Sequence, residues 1–177
     1  MSKLYSYTYM SLDGVIESPE QWSSPFFSDE MGRDLTSRLE SAAAMVLGRV
    51  TYEAFAAFWP RQSDDVPFAT LNNTITKLVV SESLRSAEWQ NTSIIGDDDM
   101  KELKAKDDRG FHITGSGTLV RNWIQRGLID EVILMMCPVL VGAGKRFFEN
   151  GSTTSLELVG AEQFPRGVVA LTYASTT

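Results

Sequence analysis

Residues 111–126 read FHITGSGTLVRNWIQR, and three signals in succession set their structure. Phe111-His112-Ile113-Thr114 is a short apolar run of strand type, and Gly115-Ser116-Gly117 is a tight turn. From Thr118 to Arg126 the residues Leu119, Val120, Trp123 and Ile124 recur on one helical face. Gly127 predicts the end of that helix as a C′ glycine. The next segment, Glu131 to Cys137, is nearly continuously apolar, the pattern of a strand covered on both faces of a sheet. Strand, glycine turn, helix and buried strand in this order form a crossover unit, which makes the two strands parallel.

The same rhythm extends upstream. Leu4 to Met10 alternates as a strand and Ala44 to Leu47 is an apolar strand, with a helix between them. Ser28 is its expected N-cap, Asp29 and Glu30 suit its first turn, and Met31, Leu35, Leu39 and Ala42 follow at helical spacing. A helix over Thr51 to Phe58 leads into a loop past Trp59-Pro60. Thr76 to Val80 and Ser93 to Ile95 read as strands, and Asp98 to Lys106 as a charged surface helix. Downstream, Leu156 to Gly160 and Val168 to Tyr173 flank Phe164-Pro165-Arg166-Gly167, the pattern of an antiparallel hairpin. The expected fold is α/β: one domain over residues 1–177, a mostly parallel central sheet flanked by helices, and a C-terminal antiparallel hairpin.

Composition narrows the function. The chain has 177 residues, 43% hydrophobic and 22% charged, and a formal net charge of -7 from 16 basic and 23 acidic side chains. A chain of this size can bury a core without disulfide or metal staples, and its charge opposes broad binding to nucleic acid or anionic membranes. One cysteine, Cys137, and one histidine, His112, exclude Cys/His zinc sites, so no metal is expected. Both lie in apolar runs, which predicts burial. No Gly-x-Ser-x-Gly elbow occurs. The longest apolar stretch, Val132 to Val141, is half a membrane span. The alternating Leu4 to Met10 segment is no signal-peptide core, and with a lone cysteine the expected location is cytoplasmic.

Two glycine turns that follow strands and open helices are candidate phosphate sites. In Leu47-Gly48-Arg49-Val50-Thr51-Tyr52-Glu53 a helix start offers open N–H groups, Arg49 a cation and Thr51 a hydroxyl. In Thr114-Gly115-Ser116-Gly117-Thr118-Leu119 the missing Cβ atoms would admit a pyrophosphate close to the backbone. A third candidate, Met10-Ser11-Leu12-Asp13-Gly14, leaves the first strand at its carboxyl end, where ligands sit in such sheets. Asp13 there is either a crevice carboxylate or a turn residue, and Trp22 and Phe26 follow as aromatics able to cover a flat heterocycle or cap the core.

These segments, with Leu128-Ile129-Asp130-Glu131 and Pro138-Val139-Leu140-x-Gly142-x-Gly144-Lys145, resemble the dihydrofolate-reductase-like family. The closest resemblance is to the reductase domain of the riboflavin-biosynthesis deaminase-reductase, an aminouracil reductase, and its stand-alone relatives. The resemblance implies bound NADPH and hydride transfer to a carbon–nitrogen double bond. By position, Gly48, Arg49, Thr51 and Ser81 would hold cofactor phosphates, Gly115, Ser116, Gly117, Thr118 and Leu119 would line the pyrophosphate, and Leu12 and Gly14 would border the nicotinamide. Ser11, Trp22, Phe26 and Thr114 would meet a small-molecule substrate. For the proton the sources are Asp13, Glu17 or an ordered water, with Asp13, its pKa raised by Trp22 and Phe26, the favoured one. The resemblance also implies a cis Gly115-Ser116 peptide and a homodimer. The apolar run Val132 to Val141, leading into Gly142-Ala143-Gly144, is either surface for such a contact or simply a central strand. Thr114 stands where riboflavin reductases carry a substrate-binding glutamate, and Glu82 beside Ser81 keeps NADH open. The alternatives are reduction of a pterin, as in dihydrofolate reductase, and a non-catalytic nucleotide-binding or interaction domain.

Overall fold

The computed structural model of the chain describes residues 2–148 and 153–176. In chain order the elements are β1 (Leu4–Ser11), α1 (Asp29–Ser41), β2 (Ala44–Gly48), α2 (Arg49–Phe58), α3 (Ala69–Thr74), β3 (Lys77–Val80) and β4 (Thr92–Ile95). They continue with α4 (Asp99–Lys106), β5 (Phe111–Thr114), α5 (Gly117–Gln125), β6 (Glu131–Cys137), β7 (Leu156–Gln163) and β8 (Val169–Ser175). The strands lie in the order β4-β3-β2-β5-β1-β6-β8-β7. β4, β3, β2 and β5 pair in parallel, as do β1 and β6, whereas β8 is antiparallel to both β6 and β7. The architecture is the mostly parallel α/β sheet with a C-terminal antiparallel hairpin read from the sequence. Two compact units divide the chain: Met1–Leu4 with Leu35–Ser116, and Tyr5–Asp34 with Gly117–Thr177.

In the first unit all five residues of β2 are buried, as expected for a central parallel strand. Met45 and Leu47 from β2, Val79 from β3, Leu39 from α1, Tyr52 from α2 and Trp89 form one core cluster. Gly48, Val80 and Ile95 are in register at the carboxyl ends of their strands, so the loops after β2, β3 and β4 share one edge.

α3 was not anticipated, because Ala-Thr-Leu-Asn-Asn-Thr carries no apolar stripe. Its stability comes from side chains that satisfy the carbonyls its last turn leaves open. The ammonium of Lys77, fully buried, donates to the carbonyls of Ile75 at 2.7 Å and Asn72 at 2.8 Å and lies 4.2 Å from the centre of the Trp89 ring. The Gln90 and Asn91 amides donate to the carbonyls of Asn73 and Thr74 at 2.9 and 3.0 Å. Burial pushes the Lys77 pKa down to about 8.

In the second unit β6 runs between β1 and β8, and Val132, Ile133, Leu134, Met135 and Cys137 are buried. The expectation that Val132 to Val141 is a contact surface for pairing is therefore wrong for its strand portion, which is interior sheet. α1 starts as expected, with Ser28 Oγ accepting the Met31 N–H at 3.3 Å. α5 ends at Gly127, φ +62°, where Leu128 N–H reaches the Trp123 carbonyl at 2.9 Å and Gly127 N–H that of Ile124 at 3.0 Å. This double closure is the one a C′ glycine permits.

Replacing Lys77 with methionine removes the charge but leaves the buried carbonyls of α3 without a donor. The expected cost is roughly 1–3 kcal/mol of unfolding free energy, measured by urea denaturation; an unchanged or raised stability would show that the ammonium is not what holds α3.

Candidate active site

The edge of the first unit is built by close backbone approach. Gly48 is the N-cap of α2 and gives it no side-chain cap, and the first turn of α2 holds no acidic residue. Its N–H groups therefore remain available, with the positive end of the helix dipole behind them. A Cβ on Gly48 would lie 2.6 Å from Ser116 Cβ, which no real Cβ tolerates. At Gly115, φ +73°, a Cβ would lie 3.0 Å from Thr51 Cγ2. The turn after β2 and the turn after β5 thus interlock, with Ser116 and Thr51 packed where the two Cβ atoms would be.

Gly115 and Ser116 both adopt positive φ, +73° and +69°, and no described peptide bond is cis. The cis Gly115-Ser116 peptide implied by the resemblance is absent; two successive left-handed residues make the turn instead. Arg49, exposed at the first position of α2, donates from Nη1 to both carboxylate oxygens of Glu53 at 2.9 and 3.1 Å. Ser81, just after β3, accepts the Ser83 and Leu84 N–H groups at 3.2 and 3.0 Å, and its hydroxyl lies 3.5 Å from that of Ser83, either being able to donate. The Thr114 hydroxyl, at the end of β5, is shielded from solvent and has no hydrogen-bond partner among the described residues. His112 is fully buried in β5, and burial, with a smaller push from Arg38, takes its pKa down to about 3. It stays neutral and is no general base near pH 7.

The second unit contributes a pair of loops locked to each other. Ser11 ends β1 fully buried; its hydroxyl donates to Asp13 Oδ1 at 2.7 Å and accepts the Val15 N–H at 2.9 Å. Asp13 receives the Val141 and Gly142 N–H groups at 3.0 and 2.8 Å. Arg146 Nε donates to the Asp13 carbonyl at 3.0 Å, and Val15 bridges Arg146 in antiparallel fashion. Arg121, from α5, donates to the carbonyls of Arg146 and Phe147, both at 3.0 Å, and to Thr118 Oγ1 at 3.3 Å. Gly14, φ +85°, accepts the Phe147 N–H through its carbonyl at 2.9 Å. A Cβ on Gly117 would run into Ile16 Cδ1, so this glycine also serves packing, and Leu119 lies in the core.

Leu12 is 60% exposed at the tip of the loop. Trp22, half-buried, donates from Nε1 to the Glu17 carbonyl at 2.9 Å, and Phe26 is half-buried in the short turn Ser24–Phe26.

The expected rise of the Asp13 pKa is overturned. The Ser11 hydroxyl first, then the Val141 and Gly142 N–H groups, hold this half-buried carboxyl down to about 2, because each donor favours the ionised form. The geometry makes it an anchor for the loop after β6. Sequence reasoning missed Arg146 and Arg121, which complete the anchor through backbone carbonyls and leave no spacing to detect. The glycine-rich run Gly142-x-Gly144-Lys145 was the available signal: a Cβ at Gly144, φ +115°, would lie 3.0 Å from Val15 Cγ1.

A carboxyl whose pKa falls on folding stabilises the fold above its unfolded value, near 4, and loses that contribution as pH drops through about 2. Asp13→Asn is expected to be less stable than the parent at pH 6 and to flatten the part of the acid limb between those values. Denaturation midpoints across pH check this; parallel acid limbs would mean that Asp13 carries no such linkage.

A family model described as the RibD C-terminal domain matches residues 2–170. The uncharacterised protein YyaP of Bacillus subtilis is 27% identical, over 93% of this chain and 90% of its own length. A putative riboflavin biosynthesis protein from Shewanella sp. PV-4 superimposes with a TM-score of 0.77 at 20% identity, over all of both chains. Dihydrofolate reductase from Enterococcus faecalis, in complex with NADP(H) and RAB-propyl, does so with a TM-score of 0.64 at 17% identity, over 99% of this chain and 97% of that one. Among the described residues no helix is long and apolar enough to cross a membrane.

Proposed function

The chain belongs to the RibD C-terminal domain family, and from that premise we propose that it is an NADPH-dependent reductase passing a hydride to a small heterocyclic or imine-like substrate. We read it as one domain, which the span of the family match, residues 2–170, supports, and place it in the cytoplasm on its lone cysteine. The observation that carries the reading is the start of α2: an uncapped helix end of ten residues with no acidic residue in its first turn and Arg49 at its first position. Open N–H groups, a positive dipole end and a guanidinium are the donor set a phosphate requires. NADH shares the pyrophosphate and remains the second cofactor, to be distinguished by titration.

When bound, the nicotinamide supplies the hydride. The N–H groups of α2 and the Arg49 guanidinium hold phosphate oxygens, with the Thr51 and Ser81 hydroxyls as further donors. Thr114 offers its unsatisfied hydroxyl to a polar group of the substrate, a neutral contact where a carboxylate would have selected a cation or shared a proton. The loops after β1 and β6 are locked to each other, so Leu12 costs little ordering on contact with a ligand. Trp22 and Phe26 supply half-buried apolar surface for a flat ring. Asp13 stays ionised at working pH and anchors these loops, so the proton that accompanies the hydride comes from another group or from solvent.

The homodimer implied by the resemblance has a better surface than β6. In the β7–β8 hairpin Leu158 pairs with Tyr173 and Ala161 with Leu171, which puts these side chains on one uncharged face, with Leu158 53% exposed. A chain of net charge -7 meets its own copy most cheaply through such a face. Sedimentation at twice the chain mass, reverting to the monomer in Leu158→Asp, is the expected result.

The primary test is a calorimetric titration of the protein and of Arg49→Ala with NADPH and NADH. The variant is expected to lose roughly 1.5–3 kcal/mol of NADPH binding while folding normally; equal losses for both cofactors assign Arg49 to the pyrophosphate. Unchanged affinity would remove Arg49 from the site. Stoichiometric NADPH oxidation by a member of a panel of pterins and aminopyrimidines then separates a reductase from a protein that merely binds nucleotide.

A further inference from the structure

Glu53 closes the motif that begins at Gly48, yet the proposed reaction gives it no task. It is half-exposed, four residues after Arg49 on the same face of α2, and its two oxygens both accept from a single nitrogen, Arg49 Nη1. An exposed i,i+4 pair of this kind adds little to stability, so stability does not explain the arrangement. What the pair does is geometric. Among the described residues Nε and Nη2 of Arg49 make no hydrogen bond, so one edge of the fork is held and the other is presented.

Side chains on a helix lean toward its N-terminus. Glu53 therefore reaches back along α2 to hold the guanidinium of Arg49, the first residue of the helix, where the N–H groups are open. An unrestrained arginine would sample many rotamers and lose them on gripping an anion.

We propose that Glu53 is a positioning residue for the cofactor: it fixes Arg49 so that the free Nε/Nη2 edge is aimed for a phosphate at the α2 N-terminus before that phosphate arrives. The inference rests on the reading of this helix start as a phosphate site. The carboxylate, held against Arg49 Nη1 with both side chains about half-exposed, repels a phosphate only weakly through water and salt. Preorganisation therefore outweighs repulsion, and the sign of the effect is predicted.

The test is a double-mutant cycle read by calorimetric titration with NADPH: the parent, Glu53→Gln, Arg49→Ala and the double variant, with urea denaturation of each. Glu53→Gln is expected to weaken NADPH binding roughly 3–10-fold with almost unchanged stability, and to have no weakening effect once Arg49 is alanine. Glu53→Gln binding as tightly as the parent or tighter, or the same loss in the Arg49→Ala background, would overturn the positioning role while leaving the phosphate site standing. A parent that does not bind NADPH, or an Arg49→Ala variant that binds it equally well, would overturn the phosphate site and this inference with it.

Discussion

A Cβ at position 48 would lie 2.6 Å from the Cβ of Ser116, and much of the first unit's functional edge follows from that lack of room. Glycine lets the chain leave β2 and enter α2 without an intervening loop, so the positive end of the helix stands directly at the carboxyl end of a buried strand. The same approach seats Thr51 against Gly115, whose left-handed backbone turns the chain out of β5. Tyr52 is then directed inward, where it is 5% exposed and its hydroxyl accepts the Trp89 N–H at 3.3 Å, while Arg49 and Glu53 face outward. The Leu-Gly-Arg-x-Thr-Tyr-Glu motif thus divides its labour: glycine for approach, tyrosine for the core, threonine for the facing turn, and the outward charged pair for the ligand in the proposed site.

The second unit fixes its loops by hydrogen bonding. Asp13 gathers one hydroxyl and two backbone N–H groups, and Arg146 and Arg121 gather carbonyls of the facing loop. A carboxylate satisfied in this way is a poor acid, because every donor that holds it stabilises its ionised form. Catalytic and structural readings of an Asp-Gly turn make opposite demands on pKa, and the donors decide between them.

The fold was legible wherever burial imposed a period. β5, the glycine turn, α5 and β6 were readable to within a residue or two, because a βαβ unit buried on both faces writes apolar strands and a striped helix. α3 was illegible: its six residues are held by Lys77, Gln90 and Asn91 from outside the helix, and a buried lysine contradicts the ordinary expectation for its type. Of the site, the motifs could be read but not the use of each residue. The glycines at 48, 115 and 117 could be read as turns, but not the neighbours, Ser116, Thr51 and Ile16, that pack where their Cβ atoms would be. Arg146 binds through main-chain carbonyls, which no residue pattern encodes, and Glu53 became interpretable only when its two oxygens were found on one arginine nitrogen.

The account stands on the dinucleotide phosphates meeting the start of α2. Phosphorus-31 NMR of NADPH mixed with an equivalent of the protein reads that encounter without a substrate. The account predicts that the pyrophosphate resonances shift and broaden in the presence of the parent protein and move back toward their free positions with Arg49→Ala. Pyrophosphate resonances identical to those of free NADPH in the presence of excess protein would contradict it.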